Sequence, residues 1–159
     1  MPDYAKTLEQ ELLLDGRMFT DEADVDATSL DFLLHNPIDS GIELITFAAS
    51  VSHDDAVTVV VYDQVSNVSG GTAQDAENNF IGHPRTEGAE VTLDPTFDGD
   101  NEHSRISYPG EGTEDVLSGA QLAVMEGESI LVSVIDESGS AKVMSALFSW
   151  GEIKKDTFR

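Results

Sequence analysis

The most suggestive group of polar residues in the sequence is a short acidic run. Asp98, Asp100 and Glu102 alternate with other residues, and a histidine follows them. Alternating carboxylate oxygens in a loop are ligands that Ca²⁺ prefers, so these three acids are the candidate metal site. An EF-hand loop starting at Asp98 would need glycine sixth and glutamate twelfth, where this chain has His103 and Pro109. We therefore favour a solvated acidic loop, and we expect no bound metal and no other cofactor.

Motifs for catalysis are missing from the sequence. The four histidines show neither H-x-H nor H-E-x-x-H spacing, and the chain has no cysteine. No G-x-S-x-G turn and no glycine-rich phosphate loop occurs. His53, Asp54 and Asp55 come nearest to an acid–base group, and a solvated turn between two strands is the interpretation that we favour for them. We predict no catalytic residue, no cofactor-binding residue and no enzymatic activity.

Charge is the strongest compositional signal. The chain has 31 Asp and Glu against 8 Lys and Arg, which gives a net charge of −23. Such a chain repels nucleic acids and anionic membranes, so neither is expected as a partner. At about 1 M salt the screening length falls to about 3 Å, and repulsion within the protein largely disappears. The acid-rich, lysine-poor pattern resembles the proteins of extreme halophiles, and an ordinary acidic domain is the alternative.

Length and hydrophobicity predict one globular domain. With 159 residues, of which 40% are hydrophobic, the chain can bury a substantial core. No apolar run of signal-peptide type occurs, and no stretch approaches the ~18 apolar residues of a membrane span. We predict three segments, which are an N-terminal arm or short helix at 1–16, a β-sandwich at 17–152 and a basic tail at 153–159.

Two β-rich runs near the carboxyl end dominate the predicted fold. Residues 129–135 and 141–150 are joined by a polar link at 136–140 that contains a glycine. Such a link is typical of a hairpin, so we expect the two runs to pair with each other. The second run alternates, with one face formed by Met144, Ala146, Phe148 and Trp150. Trp150, the only tryptophan, is expected to close the core.

Similar patterns extend over the rest of the chain. Thr7 to Gln10 has the sequence of a capping box, which predicts a helix at 8–14, and a strand starting near Leu12 is the alternative. Further predictions are an acidic connector at 20–27, a strand at 29–35, a second hairpin from 42–51 and 56–65, and a loop at 98–101. About eight to ten short strands with little helix indicate an all-β fold, an antiparallel β-sandwich that is jelly-roll-like.

Both ends of the chain are candidates for contacts with other molecules. Lys154, Lys155 and Arg159 provide three of the eight basic residues, and they can dock on the acidic surface of a neighbouring copy or partner. A frayed carboxyl end is the alternative. In the N-terminal arm, Tyr4 and Leu8 are the residues expected to exchange between subunits.

Several stretches, taken in order, resemble small β-sandwich structural proteins that are encoded in the virion gene blocks of tailed phages. The resemblance covers roughly residues 28–152, and the carboxyl part matches best. The stretches are 32–37 (FLLHNP), 40–41 (SG), 57–62 (VTVVVY), 70–73 (GGTA), 78–80 (NNF), 92–96 (TLDPT), 127–132 (GESILV), 138–141 (SGSA) and 148–152 (FSWGE). Each motif is short, and their order and spacing carry the resemblance.

The resemblance implies a non-enzymatic virion protein, used as a capsid decoration, a turret or a tail component. With the halophilic charge pattern, it implies a counterpart from a tailed virus of haloarchaea, assembled in the host cytoplasm. The expected partners are further copies of the chain, in a homo-oligomer, and a major capsid or tail protein. The alternative is a carbohydrate- or cell-surface-binding module of the same fold, for which the aromatic candidates are Tyr62, Phe80, Phe97 and Tyr108.

Overall fold

The fold is taken from a computed structural model that describes residues 7–118, 120–139 and 142–157. The elements of these residues are α1 (Leu8–Leu14), β1 (Met18–Ala27), β2 (Ser29–His35), β3 (Ile42–His53), β4 (Val57–Ser69), β5 (Thr72–Gln74), β6 (Glu77–Asn78), β7 (Glu90–Leu93), β8 (Thr96–Tyr108), β9 (Gly112–Asp115), β10 (Leu122–Val124), β11 (Ser129–Asp136) and β12 (Lys142–Lys154). Within the described residues, no helix is long and apolar enough to cross a membrane.

The strands form two antiparallel sheets. Sheet A has the order β10-β3-β12-β1-β6, with β9 also paired to β3, and sheet B has the order β5-β7-β2-β11-β4-β8. The pairs are nested, since β1 pairs with β12, β2 with β11, β3 with β10, and β4 with β8. A long antiparallel hairpin is therefore wrapped around one core, which is the jelly-roll topology. The predicted all-β, jelly-roll-like sandwich is confirmed.

Apolar residues from the facing sides of both sheets form the main core. Phe148 of β12 stacks on Phe32 of β2 with ring centroids 5.2 Å apart, and this contact joins the two sheets. Trp150 is fully buried and stacks on Phe19 of β1 at 6.1 Å. Large aromatic side chains bury about 150–250 Å² each, so these rings supply much of the hydrophobic stabilisation. The predicted inward face of β12 and the role of Trp150 in closing the core are confirmed.

Both predicted hairpins are wrong. β11 belongs to sheet B and β12 to sheet A, so the link between them crosses from one sheet to the other. The same holds for β3 and β4. Stacked sheets lie about 10 Å apart, a distance that a few extended residues can span, so a short polar link suits a crossover as well as a hairpin. Alternation identifies the buried face of a strand, and it does not identify the partner strand.

Two segments predicted to be irregular are strands. The stretch 20–27 belongs to β1, which pairs over its whole length with β12. The stretch 98–101 belongs to β8, whose side chains are mostly exposed. Acidic residues on the solvent-facing side of a strand make its composition resemble that of a loop. In this chain acids are so frequent that they hide the alternation of apolar and polar residues. Strand β12 also extends through Lys154, into the segment predicted as a tail.

The predicted helix is confirmed, and the alternative strand from Leu12 is wrong. Gln10 N donates to Thr7 Oγ1 at 3.2 Å, and Thr7 N donates to Gln10 Oε1 at 3.0 Å, which are the two bonds of a capping box. Leu12 packs with Met18 and Ile153 in a second, smaller core on the outer face of sheet A. The helix therefore covers one end of that sheet.

A buried amide fixes several turns at the end of the sandwich that α1 covers. Asn36 is fully buried, and its Nδ2 donates to the carbonyl oxygens of Ile42 and Val124 at 2.9 and 3.0 Å. Its Oδ1 accepts a hydrogen bond from Ser40 Oγ at 2.7 Å. All of the side-chain hydrogen-bonding groups are thus satisfied, and Asn36 holds the start of β3 and the end of β10 in place beside β2.

One border of each sheet is a poor template for pairing with another copy of the chain. β8 forms an edge of sheet B, and four register shifts interrupt its ladder with β4. Bulges of this kind disrupt the regular row of free backbone groups on an edge. In sheet A, β6 pairs only with Phe19 and Thr20 of β1, and the following residues 21–26 include four acids. Charge at an edge opposes lateral growth of the sheet.

Asn36→Asp tests the role of the buried amide. The new carboxylate would face two carbonyl oxygens that the amide now satisfies as a donor. We expect the free energy of unfolding to fall by about 3 kcal/mol, since each buried polar group left unpaired costs about 1–3 kcal/mol. Urea denaturation in molar KCl measures the change. The matched control is Gln121→Glu, which makes the same change from amide to carboxylate at an exposed residue, with an expected loss below ~1 kcal/mol. Equal losses in both variants would contradict the assigned role.

Candidate functional site

Exposed apolar side chains gather at one end of the sandwich. This α1 end consists of α1, the turns at 36–41 and 125–128, the loop at 78–89 and residues 150–157. Its exposed apolar residues are Leu13, Leu14, Ile38, Phe80, Ile81 and Met125. Ile81 is 89% exposed, Ile38 75% and Leu14 53%. Grouped apolar side chains on a protein surface mark interaction sites, whereas single ones do not.

Hydrogen bonds hold the loop at 78–89 against the helix. Asn78 Nδ2 donates to the carbonyl oxygens of Gly16 and Arg85 at 2.8 and 3.0 Å. Gly16 has a φ of +66°, and a Cβ at this position would lie 2.3 Å from His83 Nδ1, so only glycine fits here. The ring of Phe80 contacts His83 edge-on at 5.3 Å. The exposed side chains of this loop therefore project from a fixed backbone.

The predicted interface lysines lie at the α1 end. Lys154 and Lys155 are both exposed, and Lys155 forms an ion pair with Glu126. This contact lowers the pKa of the Glu126 carboxyl, and a hydrogen bond from Gly41 N adds to the effect. Lys155 is exposed and Glu126 is half-buried, so solvent still screens the pair and its contribution to stability is small.

The predicted N-terminal contact residue Leu8 packs on its own chain. It is half-buried against the smaller core formed by Leu12, Met18 and Ile153. Tyr4 and Arg159, the other predicted interface residues, lie outside the described residues.

A buried carboxylate, which the sequence did not suggest as functional, positions the same end. Glu152 is 4% exposed and accepts hydrogen bonds from the backbone N–H groups of Gly88 and Ala89 at 2.8 to 3.0 Å. Trp150 Nε1 also donates to it, at 3.1 Å. Charge-assisted bonds to backbone N–H groups are strong, so Glu152 ties the end of the exposed loop to the core.

The three candidate metal ligands lie along β8 with separate partners. Asp98 accepts a hydrogen bond from Asn67 Nδ2 at 2.7 Å, and Glu102 pairs with Arg105. The hydrogen bond from Arg105 lowers the pKa of Glu102. Asp100 is exposed. Among the residues that the structure describes, no three His, Asp or Glu side chains are placed to hold a metal ion.

The four aromatic candidates for carbohydrate binding lie in three separate contacts. Tyr62 and Phe97 form an edge-on pair at 5.5 Å on the β4–β8 ribbon. Phe80 belongs to the α1 end. Tyr108 lies beside His53 at 5.6 Å, near the opposite end. The structure does not bring them together into one platform.

A cleft of about 580 Å³ lies at the opposite end of the sandwich, on the outer face of sheet A. This acidic cleft is lined by Asp24, Ser52, His53, Asp54, Glu111, Gly112, Thr113, Val143 and Ser145. Its floor follows the strand register, since Asp24, Ser145, Ser52 and Thr113 are neighbours across β1, β12, β3 and β9. The lining thus offers hydroxyl and carboxylate oxygens, and none of these lining residues is Lys or Arg.

His53 lies in the wall of the acidic cleft and is 5% exposed. Its Nδ1 is 2.9 Å from the carbonyl oxygen of Asp55, an acceptor, so Nδ1 carries the proton. Its Nε2 has no hydrogen-bond partner in the described chain and lies 3.5 Å from Glu114 Oε1. Neither nitrogen contacts a serine or threonine hydroxyl. The imidazole therefore lies beside the Glu114 carboxylate, and neither of its nitrogens is paired with a nucleophile.

A second buried acid faces the core side of β1. Asp21 is 7% exposed, and its Oδ2 has no hydrogen-bond partner among the described residues. The pKa of Asp21 is raised to about 6, mainly by burial. The carboxylates of Glu87, Asp75 and Glu77 contribute to the rise, and a hydrogen bond from the backbone N–H of Glu22 opposes it. Asp21 interrupts an inward series of Phe19, Ala23 and Val25, and that break in alternation is the signal that sequence reasoning missed.

Comparison with known proteins adds no relative. A scan of the chain against models of protein families found no match, and a search of curated proteins found none.

Asp21→Asn tests the buried acid. An acid whose pKa is higher in the folded state than in the unfolded state, where it is about 3.8, stabilises the fold at low pH. That contribution is lost as the pH rises from about 4 through 6. The variant should therefore gain on the order of 2 kcal/mol at pH 7 to 8 and show a flatter pH profile. Denaturation at fixed molar KCl across this range measures it.

Asp26→Asn, at an exposed position of the same strand, is the control for removing one charge. It should change the free energy of unfolding by less than about 0.5 kcal/mol and leave the shape of the pH profile unaltered. Parallel profiles for wild type and Asp21→Asn would rule out the assigned titration.

Proposed function

We propose that this protein is a non-enzymatic structural component of the particle of a halophilic tailed virus, as a capsid decoration, a turret or a tail part. It works by associating with further copies of itself and by docking on a major capsid or tail protein. The observation that carries the proposal is the α1 end, where exposed apolar side chains are held on a fixed backbone at one end of a jelly roll.

Three features support this reading. The order of motifs along 28–152 resembles virion sandwich proteins. Contacts at loops and turns leave the core intact, since the two layers supply the stability. The excess of acidic residues suits association in molar salt, where repulsion between copies is screened over about 3 Å.

A carbohydrate- or cell-surface-binding module is the second candidate, and the separation of the aromatic side chains weakens it. A glycan array probed with the purified protein in molar KCl distinguishes the two, because the structural role requires no sugar ligand.

The proposal predicts a defined oligomer in molar KCl. Light scattering coupled to size exclusion should give one discrete mass above the monomer across a range of protein concentrations. Leu14→Asp combined with Ile81→Asp should weaken association at least 10-fold, because charges would replace exposed apolar area at the contact (about 1.4 kcal/mol per tenfold). The free energy of unfolding of the monomer should change little, since both side chains are already largely exposed.

Ile106→Asp provides the control, since Ile106 is 39% exposed and lies on β8, where its register partner Val59 pairs with Val134 toward the opposite end of the sandwich. It should assemble as wild type does. A wild-type protein that stays monomeric at every salt and protein concentration would count against the proposed function.

A further inference from the structure

One edge of sheet A is open along most of β1. The short strand β6 pairs only with Phe19 and Thr20, and it runs antiparallel to β1. Beyond Thr20, no strand among the described residues pairs with β1 on the side away from β12. The chain does not continue along this edge, because the strand that precedes β6, β5, pairs with β7 in sheet B. Residues 22–26 therefore form an open edge, which we call the β1 edge.

Two hydrogen bonds at the start of β1 show which backbone groups point out from this edge. The carbonyl oxygen of Arg17 accepts from β12 at 2.9 Å, and that of Met18 accepts from Asn79 N on the opposite side at 2.8 Å. Successive residues of an antiparallel strand direct their backbone groups to opposite sides, so the even-numbered residues of β1 face away from β12. The N–H and C=O groups of Asp24 and Asp26 thus point outward, where a further strand can pair with them.

Side chains along the β1 edge alternate between carboxylates and small apolar groups. Glu22, Asp24 and Asp26 are exposed on the outer face of sheet A. Ala23 is buried, and Val25 is half-buried at the border of the main core. Residues opposite each other on paired strands share a face of the sheet. A strand added here would therefore place one set of side chains beside the carboxylates and the other set over Val25.

We infer that the β1 edge is a docking site for an extended segment of a partner protein in which lysine or arginine alternates with apolar residues. Such a segment adds a strand to sheet A, antiparallel to β1 as β6 is. Its basic side chains lie beside Glu22, Asp24 and Asp26, and its apolar side chains cover Val25. The inference rests on the proposed function, because it assigns a surface and a partner chemistry to docking on the capsid or tail protein.

The carboxylates select this partner over a second copy of the chain. Pairing of two β1 edges would place acid opposite acid, and like charges directly opposite each other on paired strands are destabilising. Basic residues in the same positions are favourable. The open backbone groups contribute affinity for either strand, so the side chains decide between the two.

Molar salt makes this selection more local. Because the screening length is about 3 Å at about 1 M salt, acids elsewhere on the surface attract a basic segment only weakly. Carboxylates that touch the bound strand are screened least. The net charge of −23 therefore does not by itself decide where a basic segment binds under these conditions.

A capped synthetic peptide of sequence TKVKVKT tests the inference. Its lysines have the spacing of Glu22, Asp24 and Asp26. In the antiparallel arrangement each lysine lies opposite an acid and exchanges both backbone hydrogen bonds with it, so the lysine N–H groups face β1. In molar KCl the peptide should slow exchange of the Asp24 and Asp26 amide protons at least 10-fold, as measured by NMR, because these N–H groups become hydrogen-bonded.

N-methylated peptides separate strand pairing from attraction by charge. Methylation of the lysine backbone nitrogens keeps every charge and removes the donors that face β1, so binding should weaken at least 10-fold. Methylation of the valine nitrogens, which point away from β1, is the matched control and should leave the affinity unchanged. Both peptides are tested on the wild-type protein, so the result does not depend on the folding of a variant.

Charge reversal in the protein tests the side-chain contacts. Asp24→Lys combined with Asp26→Lys should weaken binding of the unmodified peptide at least 10-fold, because like charges then lie opposite each other. Asp98→Lys with Asp100→Lys, on the mostly exposed β8, changes the net charge by the same amount and should bind as wild type does.

Equal affinities of the two methylated peptides, or equal losses in the two charge variants, would overturn the edge site. Protection of the Asp24 and Asp26 amides that grows with protein concentration in the absence of peptide would also overturn it, since a second copy would then occupy the edge. A wild type that forms a discrete oligomer and does not bind the peptide would overturn the site and leave the proposed function standing. A monomeric wild type that binds the peptide at the β1 edge would support the site and count against the proposed self-association.

Discussion

Strand β12 is the constraint on which the rest of the molecule depends. It pairs with β1 on one side and β3 on the other, and its inward side chains place Phe148 and Trp150 in the centre of the core. Its outward side supports α1 at one end and the floor of the acidic cleft at the other. Because one strand spans the sandwich, the α1 end and the acidic cleft have a fixed separation and a fixed relative orientation. Their relative placement follows from the backbone pairing of β12 with β1 and β3.

The sequence of this protein predicts short-range structural features well. The capping box at Thr7 identified the helix, and the alternation in 142–150 identified the buried face of β12, because both signals depend on residues within a few positions of each other. The acidic stretches at 20–27 and 98–101 were wrongly predicted to be irregular, since carboxylates on the exposed side of a strand make its composition resemble that of a loop. The two hairpin predictions were wrong for a different reason. In a jelly roll, which strands pair depends on how the sheets form and pack around the core, and this involves parts of the chain that are distant in sequence.

The α1 end and the acidic cleft were less predictable than the fold. The lysines near the carboxyl end were apparent as an exception to the charge pattern, and their position beside α1 follows from the full length of β12. The acidic cleft draws on four strands whose neighbours in register, such as Asp24 and Ser145, are 121 positions apart in sequence. Glu152 looked like any other acid, because what distinguishes it is burial and the backbone N–H groups that point at it.

The irregular pairing of β8 with β4 protects this sheet edge even at high salt concentration. Acidic residues at the edge of a sheet prevent fibril formation by repelling an approaching chain. At high salt concentration the screening length falls to a few ångströms, and this repulsion becomes weak. A backbone displaced by bulges presents misaligned donors and acceptors at any ionic strength. The bulges of β8 therefore oppose amyloid-like pairing at any salt concentration. The β1 edge depends on its carboxylates, so it becomes the edge more prone to such pairing as the salt concentration rises.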